Sequence, residues 1–323
     1  MTEALEAAGS VELARLERSG MVESRHVGAA ALVAPDGTLI RGLGDVSALI
    51  YPRSSLKPLQ ALAVLSTGAD LDPVQAVLAS ASHAGTPEHL AVVRTILESA
   101  GLDEGALQCP ADWPLDREAR QAMIEAGEEK SPIAMNCSGK HAAFLLACVH
   151  NGWSTDDYLD PSHPLQRHVV ETVERYTGET VEHTGIDGCG APVHAVSLLG
   201  LARAVSRIAG PAVELDAAYL ALSIRANAWA IDGVGRPNTI AIERLGVVAK
   251  GGAEGVLVMG AADGTSVAVK ILDGSERART LVALELLVTA GAIARDQADE
   301  VLDLTLERVL GGGRPVGALI PAF

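Results

Sequence analysis

The sequence predicts an α/β (α+β) protein: an antiparallel sheet assembled from both chain ends and flanked by helices, together with an all-helical domain. Three observations predict it. Strand-like text occupies residues 27–50, strand-like text returns at 245–271, and alanine-rich helical text fills the interval. Strands at the two ends can pair only if the chain folds back on itself. The sheet domain is therefore expected to comprise 1–57 and 236–323 and the helical domain 58–235, with the active site in the cleft between them. A chain of 323 residues is long enough for both.

The opening residues, Met1 to Ser10, read as a frayed extension. The apolar run Val27 to Val33, the turn Pro35-Asp36-Gly37 and the run from Thr38 onward predict a hairpin. From Pro58 the helical period takes over, as in Leu59 to Leu65 and Asp72 to Ser80. Glycine and proline break that pattern between Ile231 and Asn238, which marks the return to the sheet. Leu245 to Lys250, Gly255 to Met259 and Ser266 to Ile271 then read as strands, with a turn at Ala262-Asp263-Gly264, and a long helix is expected over 277–294.

Composition narrows the function. The formal net charge of −16 is spread along the chain and repels nucleic-acid phosphates, and aromatics at 3% leave few platforms for stacking bases. No run of ~18 apolar residues predicts a membrane span. The start lacks the basic-then-apolar order of a secretory signal, so a cytoplasmic protein acting on a small molecule is expected. Cys109, Cys137, Cys148 and Cys189 are too few and too scattered for a disulfide framework, which leaves free thiols or metal ligands.

Chemistry concentrates first at Arg53-Ser54-Ser55-Leu56-Lys57-Pro58. In a helical turn residues i and i+3 share a face, so the Ser54 hydroxyl and Lys57 amine can touch, and Ser-Lys pairs activate a serine without histidine. The amine must be neutral to take the proton. An ordinary lysine titrates near ~10.4, so half-neutralising one at pH 7 takes roughly three pH units, about 4 kcal/mol, from desolvation or nearby positive charge. The motif therefore predicts further cations close by. Taken alone, the tetrapeptide reads better as a helix cap at Ser54-Ser55 with Lys57 a solvated first-turn charge, and Pro58 biases Lys57 away from helical geometry.

Three further polar islands interrupt the apolar text. Ser82, His83 and His89 precede or open a predicted helix and alone read as capping residues. Met135-Asn136-Cys137-Ser138-Gly139-Lys140-His141 delivers thiol, amine and imidazole to the start of another. Gly185-Ile186-Asp187-Gly188-Cys189-Gly190 lets backbone approach a ligand or turn tightly. Without a C-x-x-C pair, spacing alone favours inert buried thiols over zinc. Lys250-Gly251-Gly252 follows a predicted strand, and with Ser54-x-x-Lys57 it looks like a variant of the S-x-x-K and K-[TS]-G pair of β-lactamases and penicillin-binding proteins.

Taken together, these blocks in this order resemble the rhizobial-type L-asparaginase family, over about 22–274. The resemblance implies a serine β-lactamase/transpeptidase-like fold and a homodimeric amidohydrolase that releases ammonia from L-asparagine. It implies Ser54 with Lys57 and Ser82 with Lys250 as two catalytic pairs, and Zn2+ held by Cys137, Lys140 and Cys189. Lysine is an unusual zinc ligand because its amine must be neutral to bind. Charge complementarity assigns Arg53 and Asp187 to the substrate's α-carboxylate and α-amine, and His141 is expected to contact substrate as well. The sequence departs from the family pattern at Asn238-Thr239, where the family tends to have aspartate before threonine, and in the short stretch from Arg236 to Lys250. A zinc-dependent or β-lactamase-like acyl hydrolase and a catalytically silent amino-acid-binding scaffold are the alternatives.

Overall fold

The structure is a computed structural model that describes residues 3–211 and 214–323. The first stretch of chain forms β1 (Val11–Arg18), β2 (Met21–Val33), β3 (Leu39–Leu43) and β4 (Leu49–Ile50). Helices α1 (Lys57–Ser66), α2 (Pro73–Ala79), α3 (Pro87–Ser99), α4 (Arg117–Glu125), α5 (Ser138–Asn151) and α6 (Pro164–Thr177) follow. Next come β5 (Thr184–Ile186), β6 (Pro192–His194), β7 (Val196–Ser197), α7 (Leu198–Ala209), α8 (Leu215–Ala226) and α9 (Pro237–Leu245). The chain finishes with β8 (Val248–Gly252), β9 (Val256–Gly260), β10 (Ser266–Ile271), α10 (Arg279–Thr289), α11 (Arg295–Thr305), β11 (Val309–Gly311) and β12 (Arg314–Pro321).

Two compact units result. One contains Met1–Ser55, Ala195–Ala212 and Ile240–Phe323; the other contains Leu56–His194 and Val213–Thr239.

In the first unit the two chain ends meet in one antiparallel sheet of order β11-β12-β1-β2-β10-β9-β8. β2 is long enough to pair with β1 through its first half and β3 through its second, while β10 takes its other edge. Ser19 and Gly20 both have left-handed φ, 51° and 84°, the backbone that a two-residue hairpin turn needs between right-twisted strands. β8, β9 and nearly all of β10 are buried because helices cover both faces. A Cβ added to Gly260 would meet Val205 and Ala209 of α7, whereas one added to Gly251 would meet Arg279 of α10. Gly260 pairs with Val248, and Gly251 lies an odd number of residues from Val248, so α7 and α10 lie on opposite faces.

Two expectations need correction here. The opening segment is not frayed in its described part, because Leu5 N–H donates to Leu49 O at 3.1 Å and Leu49 N–H to Glu3 O at 3.0 Å. The helix expected over 277–294 is α10, which stops at Thr289, short of the expected end. Gly291, at φ 71°, ends the helix in the left-handed conformation that glycine adopts without steric cost.

The second unit is helical around α5, whose residues from Ser138 to Cys148 are all buried. Gly139 lets α5 meet the end of α2, since a Cβ there would lie 2.6 Å from the Leu78 carbonyl oxygen. α2 begins with a reciprocal capping box between Asp72 and Gln75. Among the described residues no helix is long and apolar enough to cross a membrane.

Candidate active site

The first unit positions Ser54 by backbone contact. A short 3-10 helix, Arg53–Leu56, carries it, and the chain continues helically into α1 at Lys57. Pro58 does not prevent this, because its missing N–H falls in the first turn, where a helix has no acceptor for it. Arg53 enters the turn at φ 52°, an uncommon conformation for a non-glycine residue and one that concentrates at functional sites. Glu254, at φ 61°, lies opposite, with its carboxylate 3.8 Å from the Arg53 guanidinium. The end of β8 presses on this turn. A Cβ at Gly252 would fall 2.6 Å from Pro52 O, 3.1 Å from Ser55 N and 3.2 Å from Ser54 N. Lys250, two residues earlier, projects from the same face of the strand as Gly252, is 1% exposed and donates to Gly251 O at 2.6 Å. Arg279, which the sequence reading passed over, pins this strand end by donating from Nη1 to Gly252 O at 2.6 Å.

The second unit brings Lys57 and Ser82 together. Lys57 is buried, and its Nζ donates to Ala81 O at 2.5 Å and to Ser82 Oγ at 3.0 Å. The loop holding Ser82 is fixed from two sides, by Ser82 N–H to Ile231 O at 3.0 Å and His83 N–H to Asn136 O at 3.1 Å. The buried His83 ring meets Ser138 Oγ through Nε2 at 2.8 Å. Ser138 donates its one proton to Ile133 O at 2.7 Å, so His83 Nε2 carries hydrogen and donates. Burial, and then the charges of His89 and Lys57, hold the His83 pKa well below the usual histidine range.

At the N-terminus of α5 the second polar cluster forms. Lys140 Nζ donates to Cys189 Sγ at 3.1 Å, and Cys137 Sγ lies 3.0 Å from Asn136 Oδ1. The neighbouring Cys137 thiol, with Lys140 and His141, outweighs burial and holds the Cys189 pKa below the ordinary thiol value. The same contact raises that of Cys137. Burial opposes charge on Lys140, but Cys189, Cys137 and Asp187 together outweigh it and the amine's pKa rises. Tyr158 accepts from Gln108 N–H at 3.0 Å and contacts His141 Nδ1 at 2.8 Å. The phenol's proton is then available to Nδ1. The opposite ring nitrogen, Nε2, is buried and makes no hydrogen bond. Asp187 closes a tight turn, accepting Gly188 N–H at 2.9 Å, and its charge acts on Lys140.

Among the described residues no three His, Cys, Asp or Glu side chains group as a metal would require. The donor set Cys137, Lys140 and Cys189 nonetheless fits zinc chemistry in two respects. Two sulfurs and an amine are donor types that zinc accepts, and Lys140 Nζ already lies 3.1 Å from Cys189 Sγ. A metal would have to displace the proton of Lys140.

Against known proteins, the sequence matches the model of the L-asparaginase II family over residues 14–321. The chain belongs to the L-asparaginase II family. No curated protein matches the sequence. Among solved structures, a β-lactamase from Mycobacterium bovis is 15% identical, over 86% of this chain and 95% of that one, at a TM-score of 0.41. The covalent complex of Bacillus subtilis glutaminase with 5-oxo-L-norleucine is 15% identical, over 86% and 87%, at 0.35. Mglu in its glutamate form is 13% identical over 83% of this chain, which spans 61% of the Mglu chain, at 0.41.

Of the residues singled out in the sequence, Lys57 and Ser82 touch, and Cys137, Lys140, His141 and Cys189 form one buried cluster. Ser54 and Lys250 share a sheet end with Arg53. Asn238, the departure from the family pattern, donates to Asp232 at 3.0 Å, and Arg236 pairs with the same carboxylate at 2.8 Å. Tyr158, Asn136 and the Ala81 carbonyl were not foreseen. A carbonyl carries no sequence signal, whereas a tyrosine 17 residues from His141 could have been flagged only through the fold.

Proposed function

We propose that the chain hydrolyses L-asparagine to L-aspartate and ammonia through a serine acyl-enzyme, acting as a cytoplasmic homodimer. Family membership supports an amide substrate, and the observation that carries the mechanism is the 3.0 Å hydrogen bond from the buried Lys57 amine to Ser82 Oγ. In this reading Ser54 Oγ attacks the side-chain amide carbon and passes its proton to the Lys57 amine. Backbone N–H groups of the Ser54 turn receive the oxyanion. Collapse breaks the C–N bond. The leaving nitrogen takes a proton from Ser82, which Lys57 reprotonates, with Lys250 as the second lysine of the relay. Water then cleaves the β-aspartyl ester and restores the Ser54 hydroxyl.

Arg53 and Asp187 hold the α-carboxylate and α-amine in this reading, and His141 contacts the substrate region through its neighbours. Cys137, Lys140 and Cys189 would hold zinc, which when bound supplies a positive charge to orient substrate. The test is ammonia release from L-asparagine, L-glutamine and a β-lactam, with Ser54→Ala and a chelator as arms. Ser54→Ala should reduce asparagine turnover by roughly three orders of magnitude or more, and chelation should leave residual turnover. Loss on chelation with Ser54→Ala still active would identify a metallohydrolase. Asparagine binding by calorimetry without ammonia would identify a silent scaffold.

A further inference from the structure

At the β11–β12–β1 edge of the sheet, the edge away from β8 and Lys250, a cavity of about 460 Å³ is lined by Arg18, Glu23, Ser24, Arg277, Glu307 and Arg308 among others. Its floor is chemically unfinished. Ser24 pairs across the sheet with Leu16, and both line the cavity, yet the Ser24 hydroxyl is buried with no hydrogen-bond partner. His26, the next residue on the same face of β2, is 5% exposed, and neither ring nitrogen has a partner. Three orphaned polar atoms two residues apart are unusual, because buried polar groups in folded proteins nearly always find partners.

The walls carry the complementary charge. Arg308 has no ion pair or hydrogen bond among the described residues, and Arg277 makes only a 3.8 Å contact with Glu307, whose side chain is 84% exposed. Arg18 is occupied at Nε by Glu23 (2.8 Å) and at Nη1 by Leu310 O (3.1 Å), which leaves Nη2. In a chain of net charge −16, one guanidinium without a partner and a second held only by a long, exposed contact, above an unpartnered hydroxyl, are the reverse of the average surface. A guanidinium fork matches the paired oxygens of a carboxylate or phosphate.

We propose that this cavity is a binding site for a small dianionic oxyanion, a dicarboxylate or a phosphate monoester, gripped by Arg277 and Arg308 with the Ser24 hydroxyl donating from the floor. Glu307 swings into solvent as the ligand enters, and Arg18 keeps its bond to Glu23. The site is separate from the amide-hydrolysing residues and stands whether or not the proposed function does.

Isothermal titration calorimetry on the full chain tests it, with inorganic phosphate and succinate as probes and chloride at matched ionic strength as control. Saturable 1:1 binding of at least one probe is expected, in the millimolar range or tighter; which probe saturates identifies the group preferred. Arg277→Ala with Arg308→Ala should weaken binding roughly tenfold or more. Ser24→Ala should weaken it several-fold while leaving the thermal midpoint of the unliganded chain unchanged or higher, because a buried unpaired hydroxyl is removed. Heats that fail to saturate, an equal response to chloride, or a double arginine variant that binds like the parent would overturn the proposal. So would a Ser24→Ala chain that melts lower and binds normally.

Discussion

The sheet end around Ser54 and the buried cluster of the second unit solve the same problem by different means. Around Ser54 the geometry is imposed by backbone: a missing side chain at Gly252, left-handed Arg53 and Glu254, and a guanidinium on the Gly252 carbonyl. Around Lys57 and Lys140 it is imposed by hydrogen bonds from two buried amines. A backbone-held site is sensitive to added volume. A side-chain-held site is sensitive to lost polar partners, because a buried donor or acceptor left alone costs its full desolvation.

The sharpest test of the contrast is Lys57→Met, which keeps the volume and removes the donor for Ala81 O and Ser82 Oγ. Asparagine turnover should fall by about 10³-fold or more, and the thermal midpoint should drop by an amount equivalent to about 2 kcal/mol. Parental activity in this variant would break the comparison at its strongest point. Gly252→Ala should act next, through volume alone. Its Cβ meets the Pro52 carbonyl, so denaturant titration should show a loss of about 1 to 3 kcal/mol, with activity falling because the Ser54 turn moves.

The buried histidines give the second unit a pH signature that the sheet end lacks. Burial lowers the pKa of His194 from 6.5 to about 4, and lowers those of His83, His89 and His141 in the same direction. Between those two values the unfolded chain binds more protons at His194 than the folded one. Stability is therefore complete above about 6.5 and declines as pH falls toward 4, by at most ~3 kcal/mol from this residue. Melting curves across that window should show the decline, and His194→Leu should flatten it; an unchanged slope would remove His194 from the account. The smallest effect is expected from Glu254→Gln. Its 3.8 Å contact with Arg53 is exposed on the carboxylate side, so stability should change by less than about 0.5 kcal/mol. A larger loss would mean that charge, not backbone, holds the Arg53 conformation.

Much of the fold could be read in advance where local pattern and tertiary environment agree. The hairpin after Val27, the three strands between Val248 and Ile271 and the helices following Pro58 and Asp72 all carry their period in the text. The pairing of β1 with β12 was not read, because its strands are half-exposed and their alternation is blurred by charged residues such as Glu12, Arg15 and Arg18. The short β5–β6 hairpin escaped because three residues give no period. At the site, Ser82 and His83 read locally as caps; their tie to Lys57 and Ser138 spans 25 and 55 residues.

By itself the sequence determined which groups are present and in what blocks: two lysines near hydroxyls, two cysteines on separate loops, and strand text at both ends around a helical middle. Those are properties of residue type and local spacing, and they suffice for the fold class and the family. Only the tertiary structure decided that the Lys57 amine bonds Ser82, that the Lys140 amine bonds Cys189, and that Gly252 is glycine because a backbone carbonyl occupies its Cβ position. Each depends on distances between atoms far apart in the chain, and neither hydrophobic period nor propensity encodes such distances.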